Sequence, residues 1–381
     1  MDVKNTFIGL LFLAAAGYVM YTSANQQTQI QSAQEYTQAV SKSEAENPAR
    51  EVAKPEVLAD AKDNFNEEIS VLENEYMKVS FTNKGGAIKE IKLLKYKESQ
   101  NSNEPYVFND TGKTLAMGLA FSESPNGAPI LFEKAFKLSK LTKNSIVYEY
   151  SSDKTQIYRV YTLEESASKG FIPYVINTNT HIKNISDKTW QSRKVFVSLG
   201  METPNAGDIY GNNLAFGVYN GDDTEFASSS KFVDSSGFFG IGASKAKSIS
   251  KIELSDTVWG AIKNQFFTTI FTPEIKGDGG IALPVSINPD AESKYMKNGL
   301  AGFMGFNLKE IEPQQSVELA GTFYAGPKDL SNLVDLGKNQ DLVMDYGWAS
   351  FISKPLSILL SMINSVVEKI SPNWSWGWAI I

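Results

Sequence analysis

The chain has 381 residues, no cysteine, one histidine and a formal net charge of -7. Without cysteine there are no disulfides, thiol nucleophiles or cysteine zinc sites, and a single histidine leaves most imidazole-based metal and catalytic chemistry without its usual group. The acidic balance, with no basic stripe, excludes a nucleic-acid partner, whose phosphates call for a cationic face. No cofactor, metal or catalytic residue is expected.

Residues 1–24 read as a signal-anchor transmembrane helix. Thr6 to Tyr21 is uncharged and mostly apolar and extends to Ala24 to reach spanning length. Lys4 precedes it and no Lys or Arg follows until Lys42, which places the N-terminus in the cytoplasm and the rest outside. The alternative is a cleavable signal peptide, since Ala14-Ala15-Ala16 supplies small residues of the kind found at cleavage sites. More apolar and aromatic residues follow those alanines, which favours the uncleaved anchor. Residues 25–66 are rich in Gln, Ser, Ala, Glu and Asn and carry Pro48 and Pro55. Such a composition does not bury enough apolar surface to offset ordering, so the segment reads as a disordered polar tether. A coil of about 40 residues reaches roughly 35 Å.

From residue 67 to 330 the pattern is all-β: short alternating or β-rich runs such as Ile157 to Leu163, Tyr174 to Ile182, Lys194 to Leu199, Phe266 to Phe271 and Val317 to Tyr324. Turn signals at Gly85-Gly86, Asn126-Gly127, Asn220-Gly221 and Asp278-Gly279-Gly280 separate them. So many strands with few helical stretches fit one large β-sandwich. Residues 331–348 connect, with a short helix expected over Asp329 to Leu336.

Residues 349–371 read as an amphipathic helix. Ile352, Leu356, Leu359, Ile363, Val366, Val367 and Ile370 recur at spacings of three and four and make one apolar face. One reading lays that face on the sandwich core. The other lays it in the membrane interface, favoured because Trp374, Trp376 and Trp378 follow as an aromatic belt before an apolar run. Residues 374–381 then read as the start of a second transmembrane helix.

These residues resemble the YidC membrane protein insertase family. The resemblance rests on Gly85-Gly86-Ala87-Ile88, the run Val258-Trp259-Gly260-Ala261-Ile262-Lys263-Asn264-Gln265-Phe266-Phe267, and Phe323 to Lys328. It continues through Asp345-Tyr346-Gly347-Trp348, Phe351 to Leu356 and Trp376 to Ile381, in the order and spacing that family uses. It implies a periplasmic β-supersandwich, an interfacial helix and a core of five transmembrane helices in the bacterial inner membrane. It also implies a role as insertase and chaperone for nascent membrane proteins, alone or with the secretory translocon, with the lipid bilayer as a further partner. The family's intramembrane arginine follows the tryptophan-rich entrance and is carried over to no position here.

The supersandwich also resembles galactose mutarotases, so a membrane-tethered carbohydrate-binding or mutarotase-like domain is the alternative. Such a site pairs a carboxylate with histidine, and the one histidine, His181, lies in an alternating run that reads as strand. Trp259, Phe238 and Phe239 are candidates to stack on a sugar, though such residues more often fill cores. The stretch from Gly200 to Gly217 reads as a loop, but it lacks the lysine of a phosphate-binding loop. The acidic pairs Asp222-Asp223 and Glu164-Glu165 read as solvated turn charges. A third role is a docking surface, in which a sheet edge takes a strand from a partner.

Overall fold

Strand periodicity of two dominates the molecule and gives two stacked antiparallel sheets. The computed structural model describes residues 65–345, apart from gaps at 100–101, 123, 125–126, 169, 206–207, 209 and 236–242, together with Leu356, Leu359 and Ile363. The expected anchor and tether, residues 1–24 and 25–66, lie outside the described residues except for the last two of the tether.

The first sheet has ten strands among the described residues. Its order is β1 (Ile69–Glu73), β2 (Met77–Thr82), β3 (Ala87–Lys97), β5 (Ala116–Phe121), β11 (Arg193–Glu202), β18 (Asn298–Leu308), β17 (Gly280–Ser286) and β14 (Ser250–Ile252). The short strands β4 (Pro105–Phe108) and β6 (Ile130–Leu131) pair with β3 and β5. The second sheet has nine: β13 (Thr224–Ser228), β12 (Ala215–Tyr219), β15 (Trp259–Lys263), β16 (Phe267–Pro273), β19 (Ser316–Pro327), β10 (Val175–Asn184), β9 (Thr155–Leu163), β8 (Ser145–Ser151) and β7 (Lys137–Leu141). The expected strands are present, and the stretch read as a loop begins and ends in strand: Gly200 to Glu202 are the last residues of β11, and Ala215 to Gly217 open β12. The helix expected over Asp329 to Leu336 is α1 (Leu330–Asp335), whose N-cap Asp329 accepts from the Asn332 amide.

In β9 and β10 alternate residues are buried, as a sheet with one face on the core requires. The inward residues of the two sheets interlock. Phe81 of β2 meets Tyr161 of β9 with ring centroids 4.9 Å apart, and Phe271 of β16 meets Phe306 of β18 edge-on at 6.2 Å. Each such ring contributes roughly 1.5–3 kcal/mol through burial alone.

A charged residue lies between the two sheets. Arg159 of β9 is fully buried. Its guanidinium donates to the carbonyl of Gly85 at 2.9 Å and to that of Met117, and its Nε lies 3.3 Å from Thr180 Oγ1. Tyr161 donates to the Gly86 carbonyl at 2.8 Å. The Gly85-Gly86 turn of the first sheet is thus the acceptor for two long side chains of the second. Both glycines have positive φ, 67° and 56°, and a Cβ on Gly85 would stand 2.8 Å from the Phe132 carbonyl oxygen. Only glycine meets that backbone and that approach together.

Candidate functional site

Three neighbouring strands break the alternation. β12, β15 and β16 are buried at every position. Their inward residues are identified by contacts with the other sheet: a Cβ on Gly302 of β18 would stand 2.3 Å from Phe216 and 2.8 Å from Ile262. By alternation, Gly217, Tyr219, Trp259, Ala261 and Lys263 point to the outer face. That face is covered by the segment that follows β19, which buries Leu333 of α1 and Val343.

The covering is specific. The Trp259 ring stacks on Tyr219 at 5.3 Å, and its Nε1 donates to the Lys338 carbonyl at 3.1 Å. Asn339 Nδ2 donates to the Tyr219 hydroxyl and Gln340 Nε2 to Thr272 Oγ1, both at 2.8 Å. Lys263, almost wholly buried, completes the series by pairing with Asp345 at 2.9 Å. Its ammonium also lies 4.1 Å from the centroid of Phe226, whose ring fills the space left by Gly217. The backbone of the segment is demanding: Gly337, Lys338, Asn339 and Asp345 all have positive φ. Non-glycine residues in that region cost about 1–3 kcal/mol each and persist only where the surroundings over-determine them. Here the side-chain contacts on either side do so.

Electrostatics tighten the same end. Burial pulls the Lys263 ammonium down, offset by its hydrogen bond and attraction to Asp345. Lys328, just past β19, is pulled down to about 8 by burial and then by the Lys263 charge. One carboxylate thus serves two buried or half-buried ammonium groups.

A second polar group joins the two sheets at this end. Tyr106 of β4 donates to Glu202 Oε2 of β11 at 2.8 Å. Asn264, in the turn between β15 and β16, donates to the Tyr106 hydroxyl at 2.8 Å and to Glu202 Oε2 at 3.0 Å. Asn264 Oδ1 accepts from the amides of Phe266 and Phe267 at 3.0 and 2.9 Å, which fixes the turn. Burial pushes the Glu202 carboxyl up to about 8 against the hydrogen bonds of Tyr106 and Asn264, so it is held as the neutral acid at pH 7. A raised carboxyl beside a tyrosine has the makings of acid–base chemistry. All three side chains, however, are buried, and the Tyr106 ring is closed over by Phe267 at 3.7 Å. The group is a bolt between sheets.

The expected site residues divide. Leu356, Leu359 and Ile363 are helical and exposed, at 48%, 53% and 39%. Ile352, Val366, Val367, Ile370, Trp374, Trp376 and Trp378 lie outside the described residues, as do Phe238 and Phe239. Among the described residues no helix is long and apolar enough to cross a membrane. Trp259 is core. His181 stands on the outer face of β10, 3.4 Å from Glu318 and half-buried. An apolar cleft at the far end, lined by Phe121, Ile157, Ile182, Trp190, Val195 and Leu308, takes its wall from Ile182, the residue after His181. Asp222 and Asp223 are exposed in the turn after β12. Sequence reading missed Lys263, Asp345, Glu202 and Tyr106 as partners. The signal available was one lysine and one asparagine inside an otherwise apolar run.

Residues 69–359 match the model of the YidC periplasmic domain. The chain belongs to the YidC family. It is 25% identical over 315 residues to the membrane protein insertase YidC of Pseudoalteromonas atlantica, covering 80% of this chain and 52% of that protein. To that of Marinomonas sp. it is 24% identical over 407 residues, covering 100% and 68%. A shorter stretch of 138 residues is 35% identical to the Pseudomonas fluorescens protein, covering 35% and 22%. The chain spans about half the length of most of the YidC relatives it matches. Among solved structures it is similar to a galactose mutarotase related enzyme from Lactobacillus acidophilus, with 11% identity and a TM-score of 0.41 over 68% of this chain and 97% of that one. Three of the runs that carried the family resemblance meet in space: Lys263 pairs with Asp345, and the Phe266 carbonyl accepts from the Lys328 amide.

Proposed function

We propose that this chain is the sandwich-bearing part of an inner-membrane insertase and chaperone for nascent membrane proteins. In this reading residues 1–24 anchor it, 25–66 tether it, 67–330 form the periplasmic sandwich and 331–348 are its docked connector. Residues 349–371 lie in the membrane interface and 374–381 enter the bilayer. Family membership and the insertase names of the relatives support the activity. The observation that carries the placement is the exposure of Leu356, Leu359 and Ile363 on one helical face, immediately after a connector pinned to the sandwich.

The mechanism is physical. A charge at the centre of a membrane helix costs roughly 2.5–3.5 kcal/mol on insertion scales, and an insertase lowers that barrier for a polar segment on its way across. The apolar segment then enters lipid on its own burial. The present residues would set the height and tilt of the membrane part: the sandwich is rigid, the connector is bolted to it, and the next helix floats. Translocon binding is a further proposal, supported by family membership alone.

The test is a chimera in which residues 69–371 replace the corresponding region of a full-length relative in cells depleted of their own insertase. Insertion of a single-spanning substrate is expected to be restored. Leu359→Asp with Ile363→Asp is expected to abolish it at unchanged expression. Restored insertion by the double variant would remove the interfacial role, and no insertion by a well-expressed parent chimera would remove the insertase reading.

A further inference from the structure

Phe266 is the exposed phenylalanine among the described residues, at 57%. Its exposure is built in. Asn264 caps the amides of both Phe266 and Phe267, turning the second ring inward onto Tyr106 and the first outward at the tip of the β15–β16 hairpin. The Phe266 carbonyl accepts from the Lys328 amide at 2.7 Å, which ties the tip to the end of β19.

A second projection stands beside it. β3 runs past the end of its ladder with β2, and there Leu94 and Tyr96 are exposed with Lys95 between them. Tyr96 meets Phe267 edge-on at 5.7 Å and Tyr174 at 6.1 Å. Tyr76 continues the rim, 5.5 Å from both Tyr174 and Phe171, with the Lys95 ammonium 5.6 Å from its ring centroid. Aromatic rings and long lysines set side by side are the composition that suits the boundary between headgroups and acyl chains. The rim is charge-compensated: Lys95 pairs with Glu75 at 2.9 Å, and the Tyr96 hydroxyl is pushed up by burial and then by the nearby Asp329 charge, so it stays neutral. Such a surface suits a zwitterionic lipid face and makes no demand for anionic lipid.

The location supplies the partner. Lys263, which holds Asp345, is the residue before Asn264, so the point where the connector is pinned and the hairpin tip are neighbours. Eighteen residues or fewer separate Asp345 from the exposed helical face of Leu356, Leu359 and Ile363. We propose that Phe266, with Leu94 and Tyr96, forms a second lipid contact, entering the headgroup region of the bilayer on which that helix lies. This rests on the interfacial reading of residues 349–371. The sandwich then stands on the membrane at the β15–β16 tip, the end of β3 and the helix, with β19 rising away from the surface.

The chain has no cysteine, so a single introduced cysteine carries a unique environment-sensitive fluorophore. The full chain, labelled at Phe266→Cys, Leu359→Cys or Gln315→Cys, is reconstituted in zwitterionic vesicles containing lipid spin-labelled near the headgroup. Gln315 is exposed at the turn before β19, at its far end. Quenching of roughly half the emission is expected at positions 266 and 359, with little at 315, as for groups sunk about 5–10 Å into the boundary. Adding Tyr96→Asp is expected to relieve quenching at 266 and leave 359 unchanged. Quenching at 359 with none at 266 would overturn the inference and leave the interfacial helix standing. No quenching at either would overturn both. Equal quenching at 315 would mean unspecific adhesion and overturn the second contact.

Discussion

Two buried cations meet different fates in this sandwich. Arg159 sits between the sheets and spends its guanidinium on carbonyls of Gly85 and Met117 and on Thr180. Lys263 sits on the outer face of the second sheet and takes a carboxylate from the connector. An isolated buried charge is costly unless it is hydrogen-bonded or paired. The planar fork of arginine reaches fixed acceptors in both sheets and makes a permanent cross-tie. The single ammonium of lysine accepts one partner from a separate segment, and that partner can leave. The core therefore holds a strut and the connector a latch.

The strut carries the larger energy. Arg159→Ala is expected to cost about 3–5 kcal/mol, from a cavity and stranded carbonyls together. Urea unfolding followed by circular dichroism reads it as a lowered midpoint at unchanged slope. Arg159→Lys should recover little, because one ammonium does not reach the separated acceptors. A nearly wild-type midpoint for the lysine variant would mean that charge, and not the fork, is what the core uses.

The acceptor turn comes next. Gly85→Ala places a Cβ 2.8 Å from the Phe132 carbonyl at a φ of 67° and is expected to cost roughly 1–3 kcal/mol. Combined with Arg159→Ala it should cost less than the sum, since both act on one contact. Strict additivity would separate the turn from the strut.

The latch is smaller and local. Asp345 is half-exposed but Lys263 is buried, so Asp345→Asn, whose amide oxygen still accepts from the ammonium, is expected to cost roughly 1–2 kcal/mol. Its effect should appear in hydrogen exchange, as faster exchange of the Gln340 and Leu342 amides while those of β10 stay protected. Exchange of β10 rising in step would show that connector and sandwich unfold as one unit.

The sandwich was legible because alternation is a local signal. β9 and β10 read correctly from period two, and Gly85-Gly86 and Asn220-Gly221 marked the turns from β2 to β3 and from β12 to β13. Uniform burial of β12, β15 and β16 was not legible as a second covered face, since an apolar run reads alike whichever element covers it. Lys263 and Asp345 are 82 residues apart in sequence, and no pattern announces such a pair. That Glu202 is neutral was not, because its state depends on Tyr106 and Asn264, distant strangers in the chain.

Glu202 solves the same burial problem a third way, by keeping its proton. Its folded pKa near 8 lies above the ordinary 4.5, so the folded state binds the proton more tightly than the unfolded one. Stability from this group is full below about pH 4.5 and falls as the pH rises through 8, with a slope of at most about 1.4 kcal/mol per pH unit. Asp110 and Tyr106 are the titratable neighbours. The negative Asp110 adds to the upward push, and Tyr106 stays protonated throughout this window. Lys328 has its midpoint near 8 and begins to titrate below it, but it is common to parent and variant, so it drops out of the difference between their pH profiles. Glu202→Gln is the smallest change of all at pH 5, where it swaps one neutral side chain for another of like shape. By pH 7.5 the variant should have gained on the parent, because the amide has no proton to lose. Parallel pH profiles for the two proteins would show that the carboxyl is ionised in the fold, and that the bolt between the sheets is a charge after all.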